Sequence, residues 1–388
     1  MFKFNEKPKY RADEDTFILV RKLFYEYGQT RTYKILNKYN IYLHLCVNLL
    51  QFYYIYRHPN TDMLRYSSTW ININFVLTSM ILSMLLDKQI NKVKEAMESK
   101  LWSIHSVNAH VSKKIKNQSK KFNYVFTYTL LVVAGVLVIV HLAIWGSLDD
   151  MYLSVLTFRA FFGSWSSVIE HFYFCSFLFA AYSSIRLPFL LLYSLLHLKI
   201  QFFLLNGHIL CISRNAKVEN VHNLVVQKDI ERKIIFCIKQ HIALRGIVIQ
   251  LFDIIKITMP IFLVLAGLGS VGLMVFILVH LKSIHVISLV RLFFIVCANM
   301  MITWTVCEAG QRIIDETGAT FDSLVKCPWY SWNTKNRRLL VMFMVNSRKP
   351  LSFYLAGITV DYILTVKLYR ISFSNALVFY NLSQNSLF

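Results

Sequence analysis

YVFTYTLLVVAGVLVIVHLAIWG, residues 124–146, and ITMPIFLVLAGLGSVGLMVFILVH, residues 257–280, contain no Lys, Arg, Asp or Glu. A helix crossing the ~30 Å hydrocarbon core of a bilayer needs about 20 such residues, and each stretch supplies them without interruption. Working outward, less pure stretches of the same kind occupy 34–56, 69–90, 170–198, 285–307 and 352–380. Together they make seven spans. With 56% hydrophobic residues and a mean hydropathy of +0.46, the chain is too apolar for a soluble core, so the expected class is an all-α, polytopic membrane protein.

Orientation follows from the basic residues. Lys3, Lys7, Lys9, Arg11, Arg21, Lys22 and Arg31 precede the first span, whereas the next loop offers only Arg57 and Arg65. Lys92, Lys94, Lys100, Lys113, Lys114, Lys116, Lys120 and Lys121 crowd the following loop, and Arg159 stands alone in the one after. The loop between the fourth and fifth spans is basic again, from Arg214 to Arg245, and the next holds Lys282. Short loops rich in Lys and Arg stay cytoplasmic. Seven spans then put the N-terminus in the cytoplasm and the C-terminus outside, the reverse of a G-protein-coupled receptor. The net charge of +21 is dispersed over these loops, as the anionic inner leaflet favours, and no nucleic-acid partner is expected.

The chain is expected to form one membrane domain, 1–388, with a cytoplasmic N-terminal segment at 1–33 and cytoplasmic extensions at 199–256 and 309–350. Apolar residues continue past the fourth span through HLKIQFFLLNGHILCISR, too long for one crossing, so that helix should project into the cytoplasm. In 228–256, Ile230, Ile234, Ile235, Ile238, Ile242 and Leu244 recur mostly three or four apart, leaving Lys233, Lys239 and Gln240 on the other face. This predicts an amphipathic helix leading into the fifth span, lying on lipid headgroups or packed against partner subunits. The N-terminal sequence shows no cleavable signal peptide. The seven cysteines imply no disulfide framework.

Enzyme chemistry finds no support: no glycine-rich phosphate loop, no paired zinc-ligand spacing and no hydrolase nucleophile motif is present. No cofactor or metal is expected, and His141 alone lacks the ligand cluster a metal needs. Arg186 and Arg291 lie within spans, where each is expected to snorkel or to pair inside the bundle. The last span departs from lipid-facing chemistry. Asp361, Lys367, Arg370, Ser372, Ser374, Asn375 and Asn381 interrupt it, which is satisfied if the helix lines a water-filled path. Ser374, Val378 and Asn381 share one helical stripe, and Val378 from several subunits would form an apolar constriction with Asn381 as a polar ring outside it. A polar helix buried in its own bundle is the alternative.

Residues 327–379, CPWYSWNTKNRRLLVMFMVNSRKPLSFYLAGITVDYILTVKLYRISFSNALVF, resemble the C-terminal signature of insect odorant receptors. The matching elements are Pro328-Trp329-Tyr330, the basic pair Arg337 and Arg338, the Ser347-x-Lys349-Pro350 turn, Ala356-Gly357, Lys367, and Phe373-Ser374 where the family has Tyr-Ser. The rest of the chain matches in length, span count and inverted topology only.

The resemblance implies an odorant-gated, non-selective cation channel in the plasma membrane. A tuning subunit would assemble with a shared co-receptor into a hetero-tetramer around one pore lined by the last helix, with Ser374, Val378 and Asn381 facing the permeating cations. The co-receptor carries a longer chain with an extended loop between the fourth and fifth spans, so this shorter chain resembles a tuning subunit. The implied odorant pocket lies in the outer half between spans two, three, four and six. Its candidates here are Trp70, Asn74, Phe75 and Thr78; Val138, His141 and Trp145; Phe174, Cys175, Phe179 and Tyr182; and Val290, Phe294 and Cys297. An apolar, aromatic cavity with one or two polar groups suits a small volatile ligand. Ordinary helix packing would place the same aromatics. An insect gustatory receptor, or a seven-helix receptor coupled to a soluble transducer, are the alternatives; a transporter should show inverted repeats, and none is evident.

Overall fold

A computed structural model describes residues 15–59, 63–103, parts of 113–135, 152–214, 223–280, 286–355 and 357–385. Its helices are α1 (Arg31–Arg57), α2 (Met63–Leu85), α3 (Asp87–Lys100), α4 (Leu153–Phe162), α5 (Ser166–Arg214), α6 (Leu224–His280), α7 (Val286–Val325), α8 (Thr334–Ser347) and α9 (Tyr362–Asn385). The described residues between 113 and 135 are helical as well. Six of the seven expected spans fall on α1, α2, α5, α6, α7 and α9, while most of the third, at 124–146, lies outside the described residues.

By length and composition, Leu153–Ile212 and Leu224–Leu278 each suffice to cross a membrane, and Thr69–Leu85 with Asp87–Lys100 forms a further candidate bent by 59°. α6 is the axis of the bundle, packing on α2, α3, α5, α8 and α9. At 57 residues it is about 85 Å long at 1.5 Å per residue. The expected amphipathic segment and fifth span are therefore one continuous helix. Of its expected apolar face Ile230, Ile234 and Leu244 are buried and Ile235 and Ile238 half-buried, whereas Ile242 is exposed and Gln240, expected on the polar face, is buried.

The 49 residues of α5 overshoot a bilayer too, and their far end joins the start of α6 and the end of α7. Asn206 donates to the Glu316 carbonyl at 3.0 Å. Gln227 clasps the loop before α8: it donates to the Ser331 carbonyl at 3.0 Å and accepts from the Asn333 amide at 2.9 Å. Trp102 stacks on Phe236 at 4.8 Å and exchanges two hydrogen bonds with Gln201. These contacts join the far end of α5 to α6, α7 and the loop before α8.

One boundary differs from the sequence reading. Residues 352–360 do not continue the last helix. Tyr354–Leu355 and Ile358–Thr359 pair as a two-residue antiparallel hairpin turned at Gly357, whose φ of 84° only glycine adopts freely. Asp361 then caps α9, accepting from the Leu364 amide at 3.0 Å. The described part of the N-terminal segment, from Asp15, packs against the bundle, with Phe17, Val20, Phe24 and Tyr25 buried. Asp15 accepts from Tyr193 at 2.6 Å and contacts His197 Nε2 at 3.0 Å.

Candidate ligand and pore sites

The aromatics around α4 and α5 gather in one cluster. Tyr152, Phe158, Tyr173, Phe174 and Phe177 form one buried cluster with Leu273, Phe276 and Leu292, and the Tyr152 and Phe174 rings meet edge to face at 5.1 Å. Arg291, also fully buried, adjoins this cluster at Leu292. Phe174 is thus buried in this cluster.

Phe179 and Tyr182 are not. Phe174 and Phe179 stand about 140° apart around a helix, so they serve different faces. Phe179 packs on Tyr33 at 5.6 Å, and Tyr182 stacks on Phe24 at 5.6 Å while its hydroxyl donates to the Leu23 carbonyl. Both point at the N-terminal segment and not at α2 or α7. On α2, Trp70 meets Phe52 edge to face at 5.1 Å, and Asn74 donates to the Trp70 carbonyl at 2.8 Å. Phe75 lies against Phe262 at 5.3 Å, and Thr78 is half-buried. Val290 is exposed, and Phe294 packs on Phe293. Cys175 is exposed and Cys297 half-buried. Val138, His141 and Trp145 lie outside the described residues.

A cavity of about 170 Å³ opens elsewhere, between α2, α5, α6, α7 and α9. Leu195, Met259, Val306 and Leu364 wall it, and of the expected pocket residues among the described ones only Phe75 reaches it.

α9 buries a narrow stripe. Thr365, Ser372 and Ala376 face the bundle, while Ser374, Val378 and Asn381 are exposed together with Ile363, Val366, Ile371 and Phe373. Its base is clamped to α7: Tyr362 stacks on Trp304 at 5.4 Å and donates to Glu308, which pairs with Arg312 at 2.6 Å. Partial burial pushes the Glu308 carboxyl up, but the bonds from Tyr362 and Arg312 outweigh it and hold the carboxyl below the usual range. The sequence reading missed this clamp; Glu308 with Arg312 at helical i,i+4 spacing was its visible part.

Residues 60–367 match the family described as 7tm Odorant receptor. The chain belongs to the odorant receptor family. As a member it is a transmembrane receptor of olfaction and not an enzyme. Its fold is that of the insect olfactory receptor OR5 from Machilis hrabei, with a TM-score of 0.68 at 8% identity over 88% of this chain and 87% of that one. A second structure of the same OR5, in complex with eugenol, gives a TM-score of 0.59 at 9% identity, covering 90% of this chain and 88% of that chain. No curated protein sequence matches the chain.

Proposed function

We propose that this odorant receptor binds a small volatile organic molecule in the outer half of its transmembrane bundle and gates a non-selective cation pore in the plasma membrane. In this reading it is the tuning subunit of a heteromer with a co-receptor, and α9 lines the pore. The observation that carries the reading is the surface of α9. Thr365, Ser372 and Ala376 are buried and Leu364, Leu368 and Tyr369 half-buried, leaving Lys367, Arg370, Ser374, Asn375 and Asn381 exposed. Charged and amide groups at membrane depth are costly against lipid, so they call for other subunits and water around them. Family membership and the eugenol complex of the similar OR5 support a volatile ligand. Phe174, in the buried aromatic cluster, and Trp70, Asn74 and Phe75 on α2 keep their place as ligand candidates, as do Val138, His141 and Trp145 of the expected third span.

Recordings from cells expressing the chain with and without a co-receptor, under a panel of volatiles, test this directly: odorant-evoked cation currents are expected with the co-receptor. An N-terminal epitope is expected to stain only after permeabilisation. Staining of intact cells would reverse the topology and end the channel reading.

A further inference from the structure

We infer that the cavity between α2, α5, α6, α7 and α9 is a second ligand site, taking a small uncharged lipophile that carries at most a hydroxyl group. Apart from Phe75, which borders both, its walls lie away from the outer-half candidates. Leu195 closes the fourth span, Met259 opens the fifth, Val306 closes the sixth and Leu364 sits in the first turns of α9. All are span ends that the Lys and Arg distribution puts on the cytoplasmic side. On α7 alone, Val290 and Val306 are 306 − 290 = 16 residues apart, about 24 Å along a helix.

The wall chemistry sets the ligand class. No Lys, Arg, Asp, Glu or His lines the cavity among the described residues, so an acid or amine would enter with an unpaired charge at prohibitive cost. The two threonine hydroxyls have committed their protons: Thr258 donates to the Ile254 carbonyl at 3.1 Å and Thr303 to the Asn299 carbonyl at 2.8 Å. Thr303 also bonds the Tyr369 hydroxyl, but the Thr258 lone pairs remain, so the wall accepts a hydrogen bond better than it gives one. An alcohol or phenol fits; a ketone or aldehyde gains little. Size narrows the class further. An apolar cavity of about 150 Å³ holds benzene, so 170 Å³ holds one ring or a chain of about six carbons, and a whole lipid acyl chain does not fit.

Leu364 and Leu368 on the wall belong to α9. An occupant therefore favours whichever packing of α9 keeps the cavity open. This consequence for gating rests on the reading of α9 as the pore helix, but the binding itself does not.

The test is photolabelling of the purified full chain in lipid nanodiscs with a hexanol bearing a diazirine. Labels are expected on α6 near Met259 and on α7 near Val306, and excess hexanol should protect against them where hexanoate does not. Ala266→Phe, which fills the cavity, should lower that labelling about tenfold, the effect of losing the burial of about two methylenes. Val306→Phe serves as the second filling variant should the first fail to fold. Labels confined to other positions, or undiminished in a folded filling variant, overturn the site. Since labelling reads occupancy without current, a chain that binds the probe yet shows no odorant-evoked current would fail the proposed function and keep this site.

Discussion

A guanidinium as buried as that of Arg186, 1% exposed, persists inside a membrane bundle only with its donors satisfied. It donates to the Phe24 carbonyl at 3.1 Å, the Ser83 hydroxyl at 3.0 Å and Asp87 Oδ1 at 3.1 Å, and its cation lies over the Tyr33 ring at 5.2 Å. Sequence alone shows that such an arginine needs a partner, but the partner lies 186 − 87 = 99 residues away, beyond any local spacing rule. For the same reason Tyr182 reads as a pocket aromatic until the N-terminal segment is seen beneath it. Removing the guanidinium takes their donor from the Phe24 carbonyl and the Ser83 hydroxyl, about 1–3 kcal/mol for each buried group left unpaired, while Asp87 loses one of its two cations and keeps Lys34 at 2.9 Å. Arg186→Met should therefore lower the thermal midpoint of the purified protein sharply, and Asp87→Asn should cost less in that background than alone. Additive effects in that cycle would mean that the pair is not coupled.

The last helix shows how an element's boundary escapes sequence reading. LSFYLAGITV is apolar enough to extend the span back to 352, yet hydropathy is blind to the Gly357 turn and to Asp361 acting as a cap. The stripe of Ser374, Val378 and Asn381 was legible because it depends on period alone. Two predictions belong to this helix. A Cβ at Gly310 on α7 would sit 2.1 Å from the Val360 carbonyl oxygen, so Gly310→Ala must push the hairpin and the base of α9 aside. Altered basal current, with surface expression measured in parallel, is expected, and wild-type currents at normal expression would show that the α9 base is not held there. In the pore, Val378→Asp should leave the channel leaky, because an apolar ring closes by dewetting and a charge keeps it wet. Unchanged leak and selectivity would remove Val378 from the pore.

At the scale of the molecule, the long helices α5 and α6 were the most legible part, since their apolar period runs unbroken past any bilayer thickness. How their ends knit with α8 was not, because Gln227 and Asn336 are ordinary polar residues until they are found holding the two together at 2.9 Å. This junction also carries a pH dependence. His208 lies edge-on to Trp102 at 4.8 Å and His241 to Phe343 at 5.3 Å. Burial lowers each imidazole to about 4, with Arg245 adding to the effect at His241. A histidine whose folded pKa lies below its unfolded value of about 6.5 binds fewer protons when folded. Its stabilising contribution is therefore complete above about 6.5 and is lost as pH falls from there through about 4, up to about 3 kcal/mol for each ring. Asp15 acts in a separate window: burial raises its pKa, the bonds from His197 and Tyr193 outweigh that and hold it at about 2, and its contribution is lost only between the unfolded value of about 4 and that point. Lowering pH from 7 to 5 should therefore depress the unfolding midpoint through the histidines and leave the Asp15 contact intact. His241→Phe, which keeps the ring contact and removes the proton site, should flatten that dependence, and an unchanged slope in a folded variant would show that His241 is not the titrating group.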